Sequence, residues 1–264
     1  MSGADAPLVF ITGASSGIGQ ALARRFRADG WRLALVARRE EELRRFVAAQ
    51  ACRDDEAQVY VGDVAVADSI TAAGRACIDR QGLPDVVIAN AGISVGVDSA
   101  QFEDLQVLHD TLQTNVFGVA ATFQPFIEPM RQRRRGTLAG VASVAGIRGL
   151  PGHAAYCASK AGVIAYCESL RGECRPFGVR VVTLVPGYID TPLTRGNPYP
   201  MPFLMSADAF ADAAFAAVRA GRSYRVIPWQ MGWVAKLLRV LPDSVFDRVF
   251  AGRPRKPRRP AAPR

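Results

Sequence analysis

Leu8-Val9-Phe10-Ile11-Thr12-Gly13-Ala14-Ser15-Ser16-Gly17-Ile18-Gly19 is the stretch on which the fold turns. A short apolar run of strand length leads into a glycine-rich turn, and the turn opens a helical pattern from about Gly17 to Ala28. Glycines at 13, 17 and 19 permit a tight turn, let the backbone approach a ligand and allow the helix to pack close to a sheet. The helix start then offers free N–H groups and partial positive charge to a pyrophosphate, with Ser15, Ser16 and Ile18 inside the loop. The spacing Gly-x-x-x-Gly-x-Gly differs from the commonest dinucleotide fingerprint and lacks the lysine of a P-loop. Such a turn can be purely structural, but three glycines between a strand and a helix favour a nucleotide.

Outward from this turn, strand-length and helical stretches alternate. Strands are expected at Arg32 to Ala37, Gln58 to Val61, Asp85 to Ala89, Gly136 to Val141, Val179 to Leu184 and Tyr224 to Ile227. Helices are expected at Glu40 to Gln50, Ala67 to Gln81, Phe102 to Phe117 and Ala155 to Arg175. The strands are apolar on both faces, as a sheet covered on both sides requires. The prediction is an α/β protein: one Rossmann-fold domain, a doubly wound, mostly parallel seven-stranded sheet with helices on both faces, plus a C-terminal helical extension. Ligand-binding residues should gather beyond the carboxyl ends of its strands.

The end of the second strand reads Val36-Ala37-Arg38-Arg39. An Asp or Glu there would grip the 2′-hydroxyl of NAD, and none is present. Arg38 and Arg39 can pair with a 2′-phosphate, so NADP(H) is favoured and NAD(H) is the alternative. A plainer reading makes these arginines the start of the solvated face of the helix carrying Glu40, Glu41 and Glu42.

Tyr156 and Lys160 stand four residues apart, with Ser143 at the end of an apolar run upstream. Residues i and i+4 share a helix face, so an ammonium can lie beside a phenol and favour its ionised form. An unassisted phenol, with a pKa near about 10, is a poor proton donor or acceptor at neutral pH. Such a pair is otherwise an ordinary surface contact.

Composition bounds the answer. A chain of 264 residues, nearly half hydrophobic, suits one large α/β domain. No apolar run reaches the roughly 18 residues of a membrane span, and the first seven residues do not read as a signal peptide, so the expected compartment is the cytoplasm. Cys52, Cys77, Cys157, Cys167 and Cys174 are odd in number and lack Cys-x-x-Cys spacing, which argues for reduced thiols without a zinc site. With only His109 and His153 besides, no metal is expected, and His153, three residues before Tyr156, reads as a loop residue, with a pocket-lining place as the alternative. The net charge is +9, but residues 251–264 hold six basic side chains and no acid, and setting these aside leaves +3. Specific nucleic-acid binding is therefore not expected. The cluster Arg131-Gln132-Arg133-Arg134-Arg135 suits a helix end.

The glycine loop, Asp63-Val64, Asn90-Ala91-Gly92, Asn115, Ser143, Tyr156-x-x-x-Lys160 and Pro186-Gly187-Tyr188-Ile189-Asp190-Thr191 occur in order, and with them the chain resembles the short-chain dehydrogenase/reductase family. The resemblance covers about residues 8 to 227. It implies that Asp63 and Val64 contact the adenine, that Asn90 to Gly92 support the sheet and cofactor, and that the segment Pro186 to Thr191, through Ile189 and Thr191, holds the nicotinamide carboxamide. It further implies a catalytic tetrad of Asn115, Ser143, Tyr156 and Lys160, with Tyr156 as general acid/base. Lys160 would lower the Tyr156 pKa and bind the ribose, and Asn115 would fix a water in a proton relay. The implied activity is interconversion of a carbonyl and a secondary alcohol of a small molecule. Alternatives are an NAD-dependent alcohol or sugar dehydrogenase of the same family and a non-catalytic NADPH-binding regulator. A homodimer or homotetramer through the helices over Phe102 to Phe117 and Ala155 to Arg175 is implied as well.

Residues 1–228 are expected to form the catalytic domain, with 191–206 as a substrate lid whose Tyr199, Met201, Phe203, Leu204 and Met205 suit an apolar pocket. Residues 229–250 place Trp229, Trp233, Leu237 and Leu241 at helical spacing, then break at Pro242 into a second short helix. With the basic, Pro-rich tail 251–264, expected to be disordered or PPII-like, this region suits peripheral contact with a membrane surface; packing over the pocket or a subunit interface explains the same stripe.

Overall fold

Leu8, Val9, Phe10 and Ile11 are all buried, and they divide by parity between the two faces of a sheet. Val9 and Ile11 join a core with Phe26, Trp31, Leu43, Phe210 and Phe215; Leu8 and Phe10 join the opposite core with Phe123, Phe126 and Met130. A strand apolar on both sides can only sit inside a three-layer sandwich. In this computed structural model, which describes residues 6–259, that is where it lies.

Along the chain run β1 (Leu8–Thr12), α1 (Gly17–Ala28), β2 (Arg32–Ala37), α2 (Glu40–Ala49), β3 (Ala57–Val61), α3 (Ala67–Gln81), β4 (Val86–Ala89), α4 (Asp104–Leu112), α5 (Gly118–Arg133) and β5 (Gly136–Val141). Then follow α6 (Ala154–Cys174), β6 (Val179–Pro186), β7 (Ile189–Asp190), β8 (Met205–Ser206), α7 (Ala207–Arg219), β9 (Tyr224–Ile227), α8 (Trp229–Val240) and α9 (Asp243–Phe250). The main sheet has seven parallel strands in the order β3-β2-β1-β4-β5-β6-β9. Strand order reverses between β1 and β4, which opens a crevice beyond their carboxyl ends. The expected doubly wound α/β sandwich with a C-terminal helical extension is the observed one. Among the described residues no helix is long and apolar enough to cross a membrane.

Two local expectations are corrected. The helix expected over Phe102 to Phe117 starts at Asp104 and does not end at Phe117: after a π-helical turn, Gln113–Phe117, it continues as α5 to Arg133, with Arg134 in the left-handed region closing it. The tail expected to be loose lies against the body through residue 259, because its cations find partners. Arg258 makes two hydrogen bonds to Asp104 (2.7 and 3.1 Å), Arg259 pairs with Asp110 at 3.2 Å, and the Gly96 N–H donates to the Pro257 carbonyl. Arg264 and the remainder of that tail, like the first five residues, lie outside the described residues.

Arg148 makes several of the contacts that anchor the extension, and Arg239 adds a bond to the Ile147 carbonyl at 3.1 Å. Arg148, on the loop after β5, donates to the carbonyls of Leu238 and Leu241, pairs with Asp243 at 2.8 Å and lies over the Phe246 ring. Helix α8 buries Met231 and Ala235, while Trp229, Trp233, Leu237 and Val240 on its other face are more than half exposed.

Candidate active site

The crevice at the switch point is a cleft of about 430 Å³ lined by the glycine loop, the ends of β2, β4 and β5, the start of α6 and the segment after β6. At the loop, Gly13 and Gly17 adopt φ of +67° and +55°, where a side chain would be strained. A Cβ at Gly13 would lie 2.8 Å from Ala91 Cα, so the loop is wedged against the end of β4. Asn90 locks that junction: its Nδ2 donates to the Thr12 carbonyl at 3.0 Å, and its backbone N–H donates to Thr12 Oγ1. The result is a rigid cradle whose amides at the start of α1 suit an anion.

Gly13, Ser15, Ser16, Gly17, Ile18, Arg38, Arg39, Asp63, Val64, Asn90, Ala91, Gly92, Tyr156, Lys160, Pro186 and Thr191 all line the cleft. Gly19 sits behind it, holding α1 tight to the loop. The Ile189 side chain turns into the core and β7 pairs with β8, while Gly187 donates to the Ile227 carbonyl. The two arginines differ. Both are exposed, but Arg39 reaches the loop and donates to Ser15 Oγ (2.9 Å) and Ser16 Oγ (3.4 Å), whereas Arg38 stands 3.7 Å from Asp63.

Tyr156 and Lys160 share the inner face of α6, with the Lys160 Nζ 5.8 Å from the Tyr156 ring centroid. The lysine is buried and donates to the Val141 carbonyl at 2.8 Å, the last residue of β5. Burial without an anionic partner pushes its ammonium down to about 8. The Tyr156 ring is part-exposed to the cleft, but its hydroxyl lies deep, and burial pushes the phenol up to about 12, partly offset by a hydrogen bond with Ser143. In the protein alone the ammonium points at a β5 carbonyl, and the offset at the phenol comes from Ser143. Ser143 is itself oriented, accepting from the Ala145 N–H at 3.2 Å.

Asn115 sits in the π-helical turn and is fully buried. Its Oδ1 accepts from the Ile93 N–H (2.8 Å) while its Nδ2 donates to the Ile93 carbonyl and to Ser159 Oγ (2.9 Å each). Single-turn π-bulges recur at functional sites, and here the extra residue aims the amide inward. Ser159, not anticipated from the sequence, links Asn115 to the Tyr156 carbonyl and so ties the amide to the helix that carries the tyrosine.

His153 lies in the loop just before α6, as expected, and is buried there: Nδ1 donates to the Pro151 carbonyl at 3.1 Å, which leaves Nε2 to accept from Tyr199 Oη at 3.0 Å. Tyr188 packs against Tyr199 with ring centroids 6.4 Å apart. Of the apolar residues expected to line a pocket, Phe203 and Leu204 are about half exposed, while Leu193 of the same segment lines the cleft and Tyr199 packs beside His153 and Tyr188.

Comparison with known proteins agrees with this geometry. The family model for short chain dehydrogenase matches residues 7–199. An uncharacterized oxidoreductase of Myxococcus xanthus is 38% identical over 243 residues, covering 90% of this chain and 93% of that one. The crystal structure of levodione reductase superposes with a TM-score of 0.76 at 27% identity, covering 84% of this chain and 95% of the other. An alcohol dehydrogenase from Thermococcus sibiricus, complexed with 5-hydroxy-NADP, superposes with a TM-score of 0.75 at 26% identity, covering 84% and 96%. The chain belongs to the short-chain dehydrogenase/reductase family and is an NAD(P)-dependent oxidoreductase.

Proposed function

We propose that the protein is an NADP(H)-dependent oxidoreductase that interconverts a carbonyl and a secondary alcohol, with Tyr156 as the proton donor and acceptor. The observation that carries this reading is that Tyr156 and Lys160, on one face of α6, line the same cleft as the glycine cradle, with Ser143 beside the Tyr156 hydroxyl. The cradle fits a dinucleotide: Gly13, Gly17 and the amides of Ser15 to Ile18 would take the pyrophosphate, Asp63 and Val64 the adenine, and Pro186, Ile189 and Thr191 the carboxamide. When bound, the cofactor supplies or accepts the hydride.

The chain's own residues do the rest. Ser143 would hold and polarise the substrate oxygen, and Tyr156 would protonate it as negative charge develops. Lys160 would turn from the Val141 carbonyl to the ribose. Asn115, fixed by Ile93 and Ser159, would hold the water that returns protons through Lys160. The segment 191–206, pinned by β7 and β8, would close over the substrate.

Arg39 and Ser15 support the preference for NADP(H), since a 2′-phosphate at that position would meet a guanidinium and a hydroxyl already placed. Arg39→Ala should raise the NADPH dissociation constant by roughly 10- to 100-fold and leave NADH binding unchanged. Arg38→Ala should have the smaller effect. Initial rates with NADPH and NADH across a panel of steroid, acyl, sugar and aromatic carbonyls test the whole reading. Consumption of neither coenzyme with any carbonyl would favour a non-catalytic NADPH-binding regulator.

The same reading places the protein in the cytoplasm as a homodimer or homotetramer through α4 and α6; Phe102, Leu105 and Phe117, exposed on and beside α4, suit burial between copies. A second reading adds peripheral membrane contact through residues 229–264, favoured by the exposed Trp229, Trp233, Leu237 and Val240 beside the basic tail. The double variant Trp233→Glu/Leu237→Glu should lose sedimentation with anionic vesicles at unchanged melting temperature. If the unaltered protein does not sediment with such vesicles, that face belongs to a protein contact.

A further inference from the structure

The tail does more than rest on the surface. Leaving α9, it passes the edge of the cleft that Leu193 lines and touches three segments there. Gly96, in the loop after β4, approaches so closely that a Cβ there would run into the Lys256 carbonyl, and a Cβ at Gly152, in the loop before α6, would lie 2.9 Å from the Arg255 side chain. Lys256 Nζ donates to Ser94 Oγ (3.0 Å) and to the carbonyl of Leu193 (3.1 Å), which lines the cleft. The tail thus ties the loop after β4, the approach to Tyr156 and the lid segment together.

Its charges divide into two sets. Arg258 and Arg259 are neutralised by Asp104 and Asp110, and these pairs moor the strap to α4. Arg253, Arg255 and Lys256 have no carboxylate partner among the described residues. Lys256 is half-buried, bonds only neutral oxygens and keeps one of its three N–H donors unused by the protein. Burial accordingly holds its proton affinity down. Its charge reaches His153, and that of Arg253 reaches Tyr188, the two residues that flank Tyr199. A half-buried ammonium without a counter-ion costs free energy that an incoming anion would recover.

We propose that residues 253–258 form the outer wall of the substrate site and that Lys256, flanked by Arg255, receives the carboxylate of an acid-bearing carbonyl substrate. A carboxylate suits this wall better than a phosphate. Pro254 and Pro257 have no N–H to give, and the Gly96 N–H is spent on Pro257, so the strap never presents more than two successive backbone amides, short of the run that cradles a phosphate. The aromatic pair Tyr188 and Tyr199 would take the apolar body of the same molecule. The inference deepens the proposed function and rests on it.

The test compares 4-acetylbenzoate with its methyl ester, using NADPH and the full chain. The acid should show the higher kcat/KM by about tenfold at low salt, through KM, and the advantage should shrink as salt screens the cation. In Lys256→Gln the acid-to-ester ratio should fall toward one; Lys256→Arg should keep it. An unaltered protein that treats acid and ester alike overturns the proposal. So does a Lys256→Gln variant that loses both substrates in proportion, because the lysine would then only hold the strap. If neither compound is reduced, the carbonyl reading is what suffers, and the anion site is still read by thermal shift of the NADPH-loaded protein: stabilisation by the acid and not the ester, lost in Lys256→Gln, sustains it, and equal shifts overturn it.

Discussion

Tyr156→Phe is expected to reduce kcat for carbonyl reduction by roughly 10²- to 10⁴-fold while leaving the NADPH dissociation constant unchanged. The substitution removes one oxygen from a ring that keeps its place on α6, so the glycine cradle, Arg39 and the β4 end are untouched. What goes is the proton that the developing alkoxide needs. With its pKa pushed up to about 12, Tyr156 stays protonated across the working range and is available as an acid, while Lys160, held at about 8, is the group that titrates there. For reduction, kcat/KM should therefore fall as pH rises through about 8, when the lysine can no longer pass a proton inward. A variant that keeps its activity at position 156 would end the assignment of the tyrosine.

The same shifts enter stability with opposite signs. An unfolded chain keeps the Lys160 proton up to its ordinary 10.5, whereas the folded one releases it near 8, so between these values the unfolded state binds more protons and stability rises with pH. Below 8 both states are charged and the full cost of burying the ammonium is present. Tyr156 works the other way: between 10 and about 12 the folded state keeps a proton that the unfolded state loses, and stability falls. Lys160→Met should thus raise the melting temperature at neutral pH and erase the gain between 8 and 10.5. A site that stores a buried, carboxylate-free cation trades stability for chemistry.

Much of this was legible in the sequence because it is local. Strand, glycine turn and helix follow one another within a dozen residues, and the parity of Leu8 to Ile11 reports a sheet covered on both sides. The spacing of Tyr156 and Lys160 reports a shared helix face. What could not be read joins residues far apart. His153 meets Tyr199 across the lid, Asn115 meets Ser159 across two helices, and Lys256 meets Ser94 across most of the chain. The continuation into α5 was hidden for a different reason: Gly118, Pro125 and Pro129 are poor helix formers, and packing overrides them. A Cβ at Gly74 of α3 would lie 2.6 Å from the Pro125 ring, so that proline is seated against its neighbour rather than breaking the helix. The tail misled because composition alone describes a solvated chain, while its arginines reach Asp104 and Asp110 on α4.

Gly19→Ala should be severely damaging to the cofactor cradle. Gly19 needs no left-handed backbone, so conformational strain is not the issue; a Cβ there would fall on the Gly13 carbonyl, with Ala14 Cα at 2.8 Å. These are backbone atoms and cannot swing aside. Nor can the loop recoil, because Gly13 is itself wedged against Ala91 and Asn90 holds the Thr12 carbonyl. The turn must open, carrying the amides of Ser15 to Ile18 away from the pyrophosphate position. NADPH affinity should drop at least about 100-fold, equivalent to roughly 3 kcal/mol, and the melting temperature should fall by about 5–10 °C. Gly172→Ala supplies the contrast. It lies on the exposed side of α6 with nothing near its missing Cβ, and the same methyl there should stabilise the protein by about 1 kcal/mol through helix propensity alone. Equal melting temperatures and NADPH affinities in the two variants would mean that the cradle yields, and the rigid anion site inferred from Gly13, Gly17 and Gly19 would have to be abandoned.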